Sequence, residues 1–208
     1  MIEFPESTRV HRRIPKEAFY QNMELSSALK EKFVSDVDRV FVENSLSAES
    51  LRLTKDSEIK EILLIMVALK KKDYDSKILE AIARQIPYRI VFLIAFEGEA
   101  QLALYQRKLY KTPWNKEENL TLTAEGFSLN EIWDGFVEKI ALQESAVPEK
   151  SELTTEEKLA LQARIEKLEK LVQKAEAAAW KEQQPKKRFT LYTQLNEYKR
   201  ELEDLKRG

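Results

Sequence analysis

The chain has 208 residues, which is long enough to bury a core. Its composition, 43% hydrophobic and 34% charged, indicates neither a disordered chain nor a membrane protein. Lysine plus arginine (35) nearly equals aspartate plus glutamate (36), which excludes a whole-chain electrostatic argument for binding nucleic acid or membranes. The lack of cysteine excludes disulfides, thiolate zinc sites and cysteine nucleophiles. The first residues do not form the apolar core of a signal peptide, so a cytoplasmic location is expected.

The first third of the chain predicts one helix and two strands. Ile14 to Lys32 has a proline suited to a first helical turn and apolar residues on one face. Val37 to Glu43 is rich in valine and aromatic residues, which is typical of a strand. A second strand, "SLRLT", is expected after a polar turn at Asn44 to Glu49.

Two continuous apolar runs predict the centre of a sheet. Ile62 to Leu69 and Arg89 to Phe96 have no polar face, which is typical of strands covered on both sides. Between them, Asp75 to Ile86 has apolar residues at helical spacing and ends before a proline. Strand, helix and strand at this spacing predict a parallel pair joined by a right-handed crossover.

The rest of the first domain predicts one more strand and one more helix. Ala100 to Tyr110 alternates between polar and apolar residues, and it is expected to pair antiparallel to the strand before it. Lys111 to Asn119 is a polar loop, and "SLNE" at Ser128 to Glu131 has the form of a capping box. The domain is expected to span residues 1–146, followed by a linker at residues 147–153.

Residues 154–208 predict a helical arm that begins with a capping box at Thr154 to Glu157. Two apolar seams follow with steps of four and three, at Leu161, Ile165, Leu168, Val172, Ala175 and at Leu191, Leu195, Tyr198, Leu202, Leu205. Proline inside a helix costs about 3 kcal/mol, so a break at Gln183 to Lys186 and an antiparallel hairpin are favoured. The alternative is a kinked coiled-coil arm that pairs with another subunit, which would make the protein an oligomer.

These elements predict the fold class α+β (α/β). The first domain is a mixed β-sheet with flanking helices and a strand-helix-strand crossover, and the C-terminal region is a helical hairpin or a coiled-coil arm.

Few standard catalytic motifs fit this composition. Four glycines cannot form a P-loop or a dinucleotide fingerprint, and the sole histidine, His11, lies in a basic segment that is expected to be loosely held. No metal site and no cofactor are therefore expected. The one pattern to consider is an acid-x-Lys pair, Glu58 and Lys60, which metal-dependent nucleases of the PD-(D/E)xK type combine with a carboxylate on the preceding strand, here Asp38 or Glu43. Because such patterns are frequent by chance in a charged chain, a solvated strand end is the favoured interpretation.

Binding candidates lie in the arm and in one loop. Trp180 stands beside a basic cluster that could neutralise phosphates, namely Lys181, Lys186, Lys187 and Arg188. Trp180 and Phe189 could stack on bases, although a solvated hairpin tip is the favoured alternative. Trp114, in a polar loop, is a candidate for a protein interface.

Several segments together resemble domain-of-unknown-function family 4391 of bacteria and archaea. They are the "IPK" start at Ile14 to Lys16, the strand segment at Ile86 to Phe96, the "YKTPW" loop at Tyr110 to Trp114, and the charged arm. The resemblance covers nearly the whole chain, although Pro185 interrupts an arm that is usually uninterrupted in this family.

The resemblance implies an accessory of mobile defence islands, encoded near helicases and DNA methyltransferases. It identifies no catalytic residues. The favoured hypothesis is therefore a non-enzymatic subunit of an anti-phage defence or restriction-modification-like system that docks on a helicase or a DNA methyltransferase. Its expected contact residues are Lys16, Tyr110, Thr112, Trp114 and Trp180. A metal-dependent nuclease and a stand-alone DNA-binding protein are the alternatives, and no membrane partner is expected.

Overall fold

The computed structural model of the protein describes residues 2–22, 25–54, 57–142 and 153–207. Its strands are β1 Ile2–Glu3, β2 Arg9–Ile14, β3 Val37–Ser47, β4 Glu61–Leu69, β5 Arg89–Phe96, β6 Glu99–Gln106, β7 Lys108–Lys111, β8 Asn115–Lys116 and β9 Leu122–Thr123. Its α-helices are α1 Lys16–Asn22, α2 Ser27–Asp36, α3 Lys77–Gln85, α4 Leu129–Ala141, α5 Thr155–Lys181 and α6 Pro185–Arg207. Two compact units result, residues 1–143 and 144–208, and all the strands belong to the first. Apart from Leu153, the predicted linker lies outside the described residues.

The first unit is built on a mixed sheet with the strand order β2-β3-β4-β5-β6-β7, and β8 pairs with β6. β4 and β5 are parallel, with Leu63 opposite Ile90, and α3 connects them. The remaining neighbours along this path are antiparallel. The predicted mixed sheet with a strand-helix-strand crossover is therefore confirmed.

Both faces of β4 are covered, as its continuous apolar sequence predicts. Ile65 and Val67 belong to a buried cluster that also contains residues of α2 and α3, such as Phe33 and Ile82. Ile62 and Leu64 are also buried and point to the opposite face, because side chains alternate along a strand. The helix α4 contacts β4 and β6 and covers that second face.

Four segments differ from the sequence-based predictions. The helix predicted at Ile14 to Lys32 is wrong, because β2 ends at Ile14 and two separate helices follow, the second capped by the Ser26 side chain. The strand predicted at "SLRLT" is also wrong. The preceding strand β3 continues to Ser47 because Leu46 is fully buried, and the chain then turns, with Arg52 at a φ of 53°.

The other two differences concern the two edges of the sheet. The single strand predicted at Ala100 to Tyr110 is a hairpin of β6 and β7 that turns at Arg107, where φ is 65°. The basic segment around His11 is the edge strand β2, which pairs with β3 through an irregular register. The imidazole of His11 stacks on Phe41, with ring centroids 5.5 Å apart, so the segment is held by the sheet.

The second unit is an antiparallel helical hairpin, which confirms the favoured prediction for the arm. Thr154 and Glu157 form the complete capping box at the start of α5, and Pro185 is the first residue of α6, where its missing N–H costs nothing. Ion pairs join the helices, among them those between Arg164 and Glu201 (2.6 Å), Glu169 and Lys206 (2.8 Å), and Glu176 and Lys199 (3.2 Å). The seam between them buries Ile165, Leu168, Ala175, Ala179 and Leu195.

Candidate functional site

Lys16, an expected contact residue, is the first residue of α1, and its side chain reaches the C-terminal end of α2. Its ammonium group donates a hydrogen bond to the carbonyl of Val37, and Lys70 Nζ donates to the carbonyl of Val34 at 2.9 Å. The last carbonyls of a helix lack partners within the helix and attract cations. Burial lowers the pKa of Lys16, and the charge of Lys70 lowers it further. Lys16 is thus half-buried and caps a helix.

Asp36 was not singled out by the sequence. It is completely buried near Lys70 to Lys72, which follow β4 and define the lysine-rich end of the sheet. Its carboxylate pairs with Lys71 Nζ at 2.7 Å, accepts a hydrogen bond from Ser35 Oγ at 2.6 Å, and accepts another from the backbone N–H of Asp75 at 2.9 Å. Burial raises the pKa of Asp36, but these hydrogen bonds and the Lys71 charge outweigh it and hold the pKa below the ordinary value. Asp36 therefore anchors the segment that leads into α3.

Thr112 and Trp114 also have partners inside the first unit. Thr112 is buried, and its hydroxyl accepts a hydrogen bond from the backbone N–H of Leu102 at 3.0 Å. The indole Nε1 of Trp114 donates to the side-chain oxygen of Gln101 at 3.0 Å, in the amide orientation that satisfies both groups. The Lys72 ammonium lies 5.3 Å from the Trp114 ring centroid. Both residues stabilise the β7 edge of the sheet.

The expected contact residues of the first unit belong to segments at two edges of the sheet. Tyr110 lies on β7, with the Lys108 ammonium 4.8 Å from its ring centroid, and Thr112 and Trp114 follow on the same edge. Lys16 follows β2 at the opposite edge of the sheet. Five interstrand spacings of about 4.8 Å, or about 24 Å, separate the two edges.

The candidate nuclease residues are also apart. Asp38 follows Val37, which pairs with Leu69, whereas Glu58 and Lys60 precede the other end of β4. The length of β4, about 30 Å at 3.3 Å per residue, therefore separates Asp38 from the acid-x-Lys pair.

Glu43 and Lys60 have other partners. The Glu43 carboxylate pairs with His11 Nδ1 at 2.8 Å, and Lys60 Nζ donates to the Ser57 carbonyl at 2.8 Å. Across the described ranges, no group of three or more histidine, aspartate or glutamate side chains is arranged to hold a metal ion. The structure therefore does not bring the predicted catalytic set together.

A groove of about 460 Å³ adjoins Glu58 and is lined by Tyr88, Arg89 and Tyr105 among others. Arg89, the cation of this lining, and Arg84, which contacts the lining residue Tyr105, already have partners within the unit. The Arg89 guanidinium lies 5.4 Å from the centroid of Trp133, and Arg84 donates to the Tyr105 hydroxyl at 2.9 Å. These aromatic contacts account for both arginines as structural residues.

The tip of the arm, defined as residues 180–192, differs from all of these places. Trp180 is 80% exposed and Phe189 is 75% exposed, which are the highest values among the exposed large hydrophobic residues of the described ranges. Tyr192 is 42% exposed. The four predicted cations are exposed as well: Lys181, Lys186, Lys187 and Arg188.

The charge of the arm is concentrated at this tip. The tip has four cations against Glu182 alone, a net charge of +3. The stem, defined as residues 155–179 and 193–207, is neutral, with five positive and five negative residues in the first range and four of each in the second. The stem cations Arg164, Lys199 and Lys206 pair across the helices, whereas the four tip cations form no ion pair within the described part of the chain.

The packing of the stem explains why the tip aromatics face outward. Ala175 and Ala179 occupy the seam near the end of α5 and are buried there, so small side chains already fill the contact with α6. Trp180 follows Ala179 by one residue, which places it about 100° around the helix from the seam. The hairpin does not need Trp180 for its own packing.

The fold and the tip together define a class of protein, an α+β sheet unit joined to a helical arm with a basic, aromatic end. The chain belongs to the family described as Domain of unknown function (DUF4391), whose model matches residues 2–202 and therefore includes both units. Neither the curated proteins nor the solved structures include a match to the chain. None of the helices in the described residues has the length and apolar character needed to cross a bilayer.

Proposed function

We propose that this protein is a non-enzymatic accessory subunit of a prokaryotic anti-phage defence or restriction-modification-like system. It docks on a helicase or a DNA methyltransferase, and the tip of its arm contacts the nucleic acid on which that partner acts. The observation that carries the proposal is the net charge of +3 on an exposed aromatic tip above a neutral stem.

The placement of the tip cations favours a binding role because it costs helix stability. Lys186, Lys187 and Arg188 occupy the first turn of α6, which contains no acidic residue. The helix macrodipole makes this end partially positive, so each cation there is unfavourable by about 0.3 to 1 kcal/mol. Exposed residues that are unfavourable for their own helix are expected at functional sites. Phosphate groups bound at the tip would relieve this repulsion.

A binding role is also favoured because the candidate catalytic residues either have structural partners or lie far apart. Glu43 and Lys60 have structural partners, and Asp38 lies at the far end of β4 from Glu58. The tip cations, by contrast, are free to neutralise phosphates. Each phosphate contact releases a counterion, so affinity should depend on salt concentration with a slope of about 0.7 to 0.9 per contact.

The nucleic-acid contact is tested with fluorescence anisotropy of labelled DNA, single-stranded and duplex, at several salt concentrations. The double variant Lys186→Glu with Lys187→Glu should weaken binding and reduce the salt slope by about 1.5. The matched control is Lys170→Glu with Lys174→Glu, which changes the net charge equally but in the stem. The proposal is overturned if neither form of DNA binds at low salt, or if both double variants have the same effect.

The protein contact is tested by co-expression with the proteins encoded beside the gene, among which a helicase or a DNA methyltransferase is expected. A tag on this chain should recover one of them at moderate salt in a stoichiometric complex. The charge-reversed tip variant should still recover the partner if docking uses the first unit. Recovery of neither enzyme would refute the accessory role, even if the purified chain bound DNA.

A further inference from the structure

We infer that the tip binds single-stranded nucleic acid in preference to duplex, by stacking bases on Trp180 and Phe189 while the surrounding cations contact the phosphates. This inference rests on the proposed function, because it assigns the substrate class of the same surface. It depends on the aromatic residues, whereas the proposed function depends on the charges.

The aromatic side chains of the tip are exposed to solvent. Tryptophan is highly buried on average in folded proteins, yet Trp180 is 80% exposed. Phe189 and Tyr192 lie three residues apart on α6 and therefore on one side of that helix. The seam of the hairpin is filled by other residues, including Ala179 and Leu195. The aromatic rings are thus available to a ligand with flat faces.

The dimensions of the tip fit a short stretch of unpaired bases. Trp180 is the penultimate residue of α5, and Phe189 and Tyr192 lie within the first eight residues of α6. At 1.5 Å of rise per residue, the rings lie within about 10 Å of the turn along the helix axes. That distance corresponds to about two or three bases, each of which can stack on an aromatic ring.

The strand preference follows from which surfaces a nucleic acid exposes. In a duplex, base faces are stacked inside and only the phosphates and groove edges are accessible. Cations alone would not favour single strands, because duplex DNA has the higher density of phosphate charge. Exposed aromatic rings add affinity only where base faces are open, which is the case in single strands. The combination at the tip, net charge +3 with exposed Trp180 and Phe189, therefore favours single strands.

An anionic membrane surface is the competing partner for a basic, aromatic tip, because aromatic and basic residues are also enriched at membrane interfaces. The arrangement here favours nucleic acid. The arm helices carry their apolar residues in a buried seam, and the tip has three aromatic rings rather than a continuous apolar face. A membrane is therefore an outcome of the test and not the proposal.

The test measures anisotropy with the full chain and three labelled probes of about 12 nucleotides: oligothymidylate, oligouridylate and a duplex. The unmodified protein should bind at least one single strand about tenfold more tightly than the duplex at about 50 mM salt. The double variant Trp180→Ala with Phe189→Ala should lose about tenfold for single strands and less than about twofold for duplex. The two single-stranded probes tell whether the strand is DNA or RNA.

The matched control is Phe127→Ala, which removes a 67% exposed aromatic side chain from the first unit. It should leave the affinity for single strands unchanged, and circular dichroism should confirm that the arm variant keeps its helices. The inference would be overturned if duplex and single strands bound equally well and the Trp180→Ala with Phe189→Ala variant kept the same affinity for both. The proposed function would then still stand. If the unmodified protein bound none of the three probes, both the inference and the proposed contact with nucleic acid would be refuted. Aromatic-dependent binding to phosphatidylglycerol vesicles, without binding to oligonucleotides, would assign the tip to membranes instead.

Discussion

The lysine-rich end of the sheet and the tip of the arm contain the same kinds of residues, but the fold treats them differently. At the sheet, Lys16 caps a helix, Lys71 pairs with a buried carboxylate, and Trp114 donates to Gln101. At the tip, Trp180 is 80% exposed and the neighbouring cations have no ion pair among the described residues. Lysines next to tryptophans thus indicate a binding surface only where the fold leaves them without partners.

The largest expected effect concerns the buried carboxylate at the lysine-rich end of the sheet, whose residues should stabilise the fold. The variant Asp36→Ala removes a buried acceptor of three interactions, including the ion pair with Lys71. Loss of one partner in a buried charged network should lower the free energy of unfolding by about 3 kcal/mol.

Urea denaturation followed by tryptophan fluorescence measures this loss, because Trp114 and Trp133 belong to the first unit. The matched control is Asp38→Ala, since the Asp38 side chain is 45% exposed. It should cost less than about 0.5 kcal/mol. Equal effects of the two variants would show that Asp36 is not an anchor.

A second, smaller effect is the pH dependence of the same carboxyl group. The pKa of Asp36 in the folded state lies below its ordinary value of 3.8, so the unfolded chain binds its proton more readily. Its contribution to stability is therefore fully present above pH 3.8 and declines as the pH falls through the folded pKa.

The variant Asp36→Asn removes this titrating group. Its unfolding free energy should consequently decline less steeply than that of the unmodified protein below pH 3.8. Urea titrations at successive pH values compare the two curves. Parallel curves in the acid range would contradict the assigned pKa direction.

The smallest expected effect has the opposite sign and concerns the tip. Because Lys186 and Lys187 oppose the macrodipole of α6, replacing both by glutamate should stabilise the arm by about 1 kcal/mol. The same double variant is expected to bind nucleic acid more weakly, so stability and function would change in opposite directions.

Urea unfolding at low salt, followed by the helical circular dichroism signal, measures this gain, since urea does not screen charges as guanidinium chloride does. The stem variant Lys170→Glu with Lys174→Glu, which lies away from the helix ends, should not be stabilised in this way. A destabilised tip variant would remove the argument that these cations are kept at a cost to the helix.

The regular parts of the fold could be predicted because their patterns are long and local. The apolar runs of β4 and β5, the capping box at Thr154 and the break before Pro185 each depend on neighbouring residues alone. The wrong predictions concern segments whose structure depends on pairing with distant residues. β3 continues through Asn44 because it pairs with β4, and β2 exists because it pairs with β3. Propensity in a short segment does not contain that information.

The sequence by itself determined the mixed sheet, the crossover and the helical hairpin, because hydrophobic periodicity, caps and proline act over a few residues. It also identified the cations and Trp180 of the tip. Only the tertiary structure decided which polar residues have partners: the capping role of Lys16, the buried Asp36 and the bond between Trp114 and Gln101 all join distant segments. Burial and pairing are properties of the whole fold, and they separate residues that support the structure from those that are free to bind.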